Sequence, residues 1–289
     1  MGFFIGKFKS SASEKISKSL IKFGIPISVM GLLLKAGISI DLIHSALLAF
    51  ITIIIFIIII NFVAPLKKFF PNYSLQLAGL IGNTSFLGIP IAIALLPTDT
   101  INFTIGFDLG TTLFSWIFGP YLLQKTNTND PFLNFKKLIL SLLNSPASRG
   151  IIGVLIIYLF GIENIMEKFL WIPARFVIYI AIIAVGARLG IIIKRKNTSY
   201  KYKEKIKYSL FLKLFILPGF IYTVCRILNF QEIETAALVL QAGTPSAIST
   251  ILLAEAYRKQ RELAAKTLLK TTLISIATIP IIFLIISTK

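Results

Sequence analysis

Long apolar runs separated by short polar segments dominate this chain. A helix needs about 20 apolar residues to cross the hydrocarbon core of a membrane. The sequence predicts nine such runs, at 23–36, 44–64, 76–96, 103–123, 146–162, 172–193, 207–228, 233–255 and 266–287. Residues 50–60 are almost entirely Ile, Phe and Thr, and the length of that run favours a lipid-facing helix over a buried strand. We therefore expect an all-α membrane protein in which residues 1–289 form a single transmembrane domain.

The connections between these runs alternate between basic and non-basic. Lys and Arg cluster before the first run and after the second, fourth, sixth and eighth, whereas the other connections hold mainly acidic residues such as Asp41 and Asp99. Cytoplasmic loops of membrane proteins are enriched in Lys and Arg. The alternation predicts a multi-pass protein of the plasma (bacterial inner) membrane, with a cytoplasmic N-terminal segment and Lys289 outside.

Composition narrows the class of protein. Hydrophobic residues make up 56% and charged residues 15% of the chain, whereas soluble domains are about a quarter charged. The net charge of +18 lies in bursts between apolar runs, so it indicates contact with the lipid bilayer and not with nucleic acid. One cysteine, Cys225, and one histidine, His44, cannot form a metal or acid–base cluster. We therefore predict no enzyme, no catalytic residue, no metal and no cofactor.

The runs repeat along the chain. A shift of about 155 residues lays 44–64 near 207–228, 76–96 near 233–255 and 103–123 near 266–287. An odd number of crossings separates each pair, so the halves have opposite orientation, a plan typical of secondary transporters. We expect inverted repeats at 1–123 and 146–287, and the first is incomplete because the partner of 146–162 would precede the N-terminus. A ten-helix version would have a first helix that is largely missing here.

Two runs carry helix-breaking and polar residues at matching places, within 82–90 and 241–246. Backbone groups freed inside a membrane are tolerated where they face a protein cavity or a polar ligand. One such helix would favour a packing kink, whereas two with polar side chains favour a substrate site. The second break suggests Thr244 as an N-cap with Pro245 at the first helical position. In the first break, Pro90 either marks the restart or only kinks the helix.

The ends of such half-helices suit an anion, because their free amides carry partial positive charge. The candidate substrate-binding residues are Asn83, Thr84, Ser85, Gly88, Pro90, Gln241, Thr244, Pro245 and Ser246.

Charged residues within the runs are candidates for coupling or charge compensation. Asp108 could carry a proton, hold an ion or pair with a basic group. Arg188 and Lys213 could add to the positive charge around an anion, although Lys213 is near enough to the end of its run to reach the aqueous boundary. Coupling to a proton or to sodium stays open.

The stretch GNTSFLGIP at 82–90 resembles the fourth helix of the auxin efflux carrier family, which includes plant auxin carriers and bacterial malonate-type permeases. Its ninth and tenth helices resemble the segments LQAGTPSAISTILLAEAY at 240–257 and LAAKTLLKTTLISIATIP at 263–280. Two further segments are also similar to members of the family, FDLGTTLFSW at 107–116 and IAVGARL at 183–189. The resemblance covers nearly the whole chain from about Leu20, with the short central segment 125–145 of bacterial members.

This resemblance implies a ten-helix inverted-repeat fold, similar to that of bile-acid symporters and sodium/proton antiporters. Broken helices would cross at the site, with Asn83 and Pro90 at one crossover and Pro245 at the other. It also implies transport of an organic anion such as a carboxylate by an elevator-like or rocking motion. Substrate identity, direction and oligomeric state, including a homodimer, are left open.

We therefore predict a secondary transporter for a small organic anion. The alternatives are a non-transporting receptor or scaffold and a truncated inactive carrier. A channel is disfavoured, because polarity is concentrated at the two breaks instead of forming a stripe along several helices.

Overall fold

The computed structural model describes residues 19–124, 146–194 and 203–287. Within them every regular element is helical, apart from one backbone bridge between the two breaks. The basic residues before Ser19, the segment 125–145 and residues 195–202 of the predicted cytoplasmic loop lie outside this part of the chain.

The helices follow one another with short connections. In chain order they are α1 (Ile25–Ala36), α2 (Ile40–Phe62), α3 (Ala64–Phe69), α4 (Tyr73–Leu80), α5 (Ile89–Leu95), α6 (Ile101–Gln124), α7 (Pro146–Leu159), α8 (Glu163–Lys194), α9 (Ile206–Phe211), α10 (Leu217–Ile227), α11 (Glu232–Ala242), α12 (Ile248–Ala256) and α13 (Arg261–Ser287). Wider π-turns precede α1 at Leu20–Gly24 and α5 at Thr84–Gly88, and join α9 to α10 at Leu212–Ile216.

Three helices of the described part are long and apolar enough to cross a membrane by themselves. They are Ile40–Phe62, the continuous α9–α10 helix at Lys203–Ile227, and Arg261–Ile286. Each agrees with a predicted run to within a few residues. The runs 76–96 and 233–255 each form two shorter helices, because each is interrupted near its centre.

Two elements differ from the sequence prediction. The helix α8 begins at Glu163, well before the expected start at 172, and the acidic residue in its first turn stabilises the helix N-terminus. The short helix α3 was not predicted, and Pro65 occupies its first turn, where the missing amide donor costs nothing.

The chain divides into two compact units. Of the described residues, the first contains 19–40 and 146–194, and in it α1 packs against α7 and α8. Small residues permit close approach: a methyl group at Gly31 would lie 2.7 Å from the carbonyl oxygen of Leu170, and one at Gly150 would lie 2.8 Å from Val29. Such contacts between small residues are typical of helix packing in membranes.

Of the described residues, the second unit contains 41–124 and 203–287, which include both interrupted helices. Its apolar core includes Ile53, Leu80, Phe114 and Leu253. The fully buried positions of this unit also include many polar side chains, among them those of the two breaks. Large apolar side chains such as Ile58, by contrast, are about half exposed. Exposed apolar and buried polar residues fit a helical protein that lipid surrounds.

Candidate functional site

The two breaks pair with each other through their backbones. Gly82 and Ser246 form an antiparallel bridge. Beside it the Asn83 amide donates to the Pro245 carbonyl at 2.7 Å, and the Ala247 amide donates to the Ile81 carbonyl at 2.9 Å. All of these residues are buried, so each break satisfies backbone groups that the other releases.

In the first break the helix restarts at Thr84, with Asn83 at the N-cap position. The Asn83 carbonyl accepts from the amides of Leu87 and Gly88, both at 3.1 Å. The Asn83 side chain is 4% exposed and makes no capping hydrogen bond. Pro90 lies in the first turn of α5, six residues beyond the restart, so the helix does not restart at Pro90.

In the second break the sequence-based assignment of the helix start is wrong. The helix α12 begins at Ile248 with Ala247 as its N-cap, and Pro245 is in the extended segment. The Thr244 hydroxyl donates at 2.7 Å to the carbonyl of Gln241, so Thr244 closes the end of α11 and does not cap α12. Backbone pairing with the first break holds residues 245–247 extended and delays the restart.

Asp108 of α6 connects to the restart of the first broken helix. It is 2% exposed, and its Oδ1 accepts from the hydroxyls of Thr84 at 2.5 Å and Ser85 at 2.6 Å. Thr111, one turn further along α6, lies 3.1 Å from the Thr84 hydroxyl. Sequence reasoning missed Thr111, although its place three residues after Asp108 puts both on one face of a helix.

Lys213 lies at the crossing, and the expectation that it reaches the aqueous boundary is wrong. Its side chain is 1% exposed, and Nζ donates at 2.5 Å to the carbonyl of Ala242, the last residue of α11. The absent side chain at Gly82 leaves room for it, since a methyl group there would lie 2.9 Å from Nζ.

Gln241 presents an unusual buried side chain. It is fully buried, and neither its Oε1 nor its Nε2 has a hydrogen-bond partner within the described residues. Its amide lies against Gly88, where a methyl group would be 3.0 Å from Nε2. Buried amides usually have hydrogen-bond partners, so the side chain of Gln241 keeps both a donor and an acceptor for a polar ligand.

Most of the predicted site residues therefore lie in one part of the second unit. Ser246 joins them through its hydroxyl, which donates at 2.5 Å to the carbonyl of Ala78. Arg188 is in α8 of the first unit, and its side chain lies outside the described part of the structure. Among residues 19–124, 146–194 and 203–287, no group of three His, Cys, Asp or Glu side chains is arranged to hold a metal ion.

Comparison with known proteins identifies the family. A family model described as "Membrane transport protein" matches residues 121–283, more than half of the chain. The chain belongs to the membrane transport protein family. The match confirms the resemblance to auxin efflux carriers and indicates a transport protein and not an enzyme. It includes Lys213 and the second break, whereas the first break precedes it.

A relative of this membrane transport protein occurs in Methanocaldococcus jannaschii. It is described as an uncharacterized transporter and is 23% identical to the chain over 209 residues. The aligned part covers 71% of this chain and 65% of that protein, so the chain spans about two thirds of the relative's length.

Proposed function

We propose that the chain is a secondary transporter that carries a small organic anion across the plasma membrane by alternating access. The observation that carries this proposal is the pair of helix restarts buried at the crossing of two interrupted helices. The structure and family membership support a multi-pass membrane transport protein; the nature of the cargo and the mechanism are our inference.

The charges at the helix ends favour an anionic cargo. At the start of α12, no side chain caps the helix, and the described residues show no hydrogen bond donated by the amides of Ile248 and Ser249. Free amides at a buried helix N-terminus carry partial positive charge and suit a carboxylate. The unpartnered amide of Gln241 adds a donor to the crossing, and Lys213 adds a positive charge when it is protonated.

The two restarts differ in the acceptors already present, which selects between them. At the first restart, the carboxyl group of Asp108 already accepts hydrogen bonds from the hydroxyls of Thr84 and Ser85. These two hydroxyls are therefore not free to bind a carboxylate of the cargo. We therefore assign the carboxylate of the cargo to the start of α12, and polar groups of the cargo to Asn83 and Gln241.

Alternating access requires that the site keep its form while its exposure changes. The two breaks are joined by backbone hydrogen bonds, so they move as one piece. The inverted repeat also fits the pairing, since Gly82 and Ser246 are the centre of an antiparallel bridge and stand about 164 residues apart.

The test is flux through proteoliposomes that contain the purified protein. A panel of labelled mono- and dicarboxylates and indole acetate should yield one anion with saturable flux. The Asn83→Ala variant should lose about two- to tenfold of its apparent affinity, because a hydrogen bond between neutral polar groups contributes about 0.5–1.5 kcal/mol.

Asn83→Ala is a clean substitution, because the Asn83 backbone amide keeps its bond to Pro245 and its side chain caps nothing. Thr223→Ala, at an exposed position of α10, is the control and should transport normally. Binding of an anion without flux would indicate a receptor. Unchanged flux in Asn83→Ala would refute this placement of the cargo.

A further inference from the structure

Interrupted helices in a membrane create a second kind of end, the C-terminal one. Half-helix C-termini and unwound carbonyls coordinate sodium ions or protons in many carriers with broken helices. In this chain the corresponding ends are those of α4 and α11. The hydrogen-bond donors to the last carbonyls of α4 and α11 therefore indicate whether a cation can bind there.

The side-chain amine of the chain's own Lys213 already lies at the end of α11. Lys213 Nζ donates to the Ala242 carbonyl, and the ammonium lies within the space that Gly82 leaves free. None of the ion pairs found among the described residues involves Lys213. In its protonated form this amine has the negative end of a helix dipole as its counter-charge, an arrangement that stabilises a cation.

The neighbouring carbonyls are satisfied by neutral donors of the protein. At α11, the Gln241 carbonyl accepts from the Thr244 hydroxyl and the Val239 carbonyl accepts from the Gly243 amide. At α4, the Ala78 carbonyl accepts from the Ser246 hydroxyl. A metal cation would have to displace these donors and would also meet the charge of Lys213 at close range.

We propose that the Lys213 ammonium is a tethered cation that stands where a sodium ion would otherwise bind at the C-terminal end of α11. The intact chain then binds no sodium at this end. Combined with the proposed transport function, on which this consequence rests, the anion flux does not depend on sodium.

A simple helix cap would explain the same hydrogen bond, and the two roles make different predictions. If Lys213 only caps α11, its replacement weakens the fold equally in every salt. If Lys213 replaces a free cation, its removal opens a cation site, and sodium restores stability that potassium or choline does not.

The experiment is thermal unfolding of the purified full-length chain in detergent, in sodium, potassium or choline chloride at equal ionic strength. The wild type should unfold at the same midpoint in all three. Lys213→Gln and the smaller Lys213→Ser should unfold earlier in choline, with a saturable rise in midpoint as sodium increases. Lys270→Gln, at an exposed lysine of α13, is the control and should show no sodium-specific shift.

A sodium-specific rise in the wild-type midpoint would overturn the proposal, and so would the absence of any such rise in both Lys213 variants. If the variants fold only when purified in sodium, the proposal is supported. If neither folds in any salt, it is overturned, because a free cation then cannot replace the ammonium. Since unfolding and not flux is measured, failure here leaves the proposed anion transport standing, and absence of flux would not affect this result.

Discussion

The hydroxyl of Ser85 gives a direct measure of the charge on Asp108. The Ser85 hydroxyl donates a hydrogen bond to Asp108 Oδ1 at 2.6 Å. Hydrogen bonds to charged groups contribute about 1.5–3 kcal/mol to stability, whereas those between neutral groups contribute about 0.5–1.5 kcal/mol. Ser85→Ala should therefore lower the unfolding free energy by about 2 kcal/mol in the wild type and about 1 kcal/mol in the Asp108→Asn background. The coupling between the two positions is the difference, about 1 kcal/mol.

A double-mutant cycle isolates this term. Replacing Asp108 by Asn also removes the cost of burying a carboxylate, but that change occurs in both arms of the cycle and cancels. Reversible unfolding in mixed micelles of the wild type, both single variants and the double variant gives the four free energies. Thr223→Ala, which removes an exposed hydroxyl bonded to the Gly219 carbonyl, should cost the same in both backgrounds. Equal costs of Ser85→Ala in both backgrounds, within about 0.5 kcal/mol, would refute an ionised Asp108 at this site.

Two further substitutions test packing and pairing in the second unit. Gly110→Ala should destabilise by about 1–3 kcal/mol, because the new methyl would meet Ala46 backbone atoms and force α6 away from α2. Gly219→Ala is the control, because a methyl group there meets nothing within 4 Å, and it should leave the thermal unfolding midpoint unchanged. Equal effects of Gly110→Ala and Gly219→Ala on the midpoint would contradict the close contact between α6 and α2. Ser246→Ala should lower the unfolding free energy by about 1 kcal/mol or more, since it leaves the Ala78 carbonyl without its buried donor. An unchanged midpoint for that variant would show that the hydroxyl is not needed there.

Local sequence signals located the helices and the two interruptions well. The runs that became α2, the continuous α9–α10 helix and α13 are long and apolar enough to cross a membrane, where few competing structures exist. Gly and Pro within 82–90 and 241–246 marked the breaks because they weaken a helix wherever they stand.

The details within the breaks depended on partners distant in sequence. The sequence made Thr244 and Pro245 a good helix start, but pairing with residues 81–83 holds that segment extended until Ala247. Lys213 was expected to extend to water because only its distance from the end of the run was visible. Its burial follows from the missing side chain at Gly82, a contact between spans that no local pattern reveals.

The pairing between the breaks also constrains how the chain acquires its structure. Residues 81–83 are synthesised long before 245–247, and contacts of such large sequence separation form late. Until the second half arrives, the Asn83 amide and the Ile81 carbonyl lack their partners, at a cost of several kcal/mol in lipid. The first interrupted helix therefore reaches its final form only when the second has entered the membrane, and the newly made first half must keep its polar break in contact with water or the insertion machinery until then.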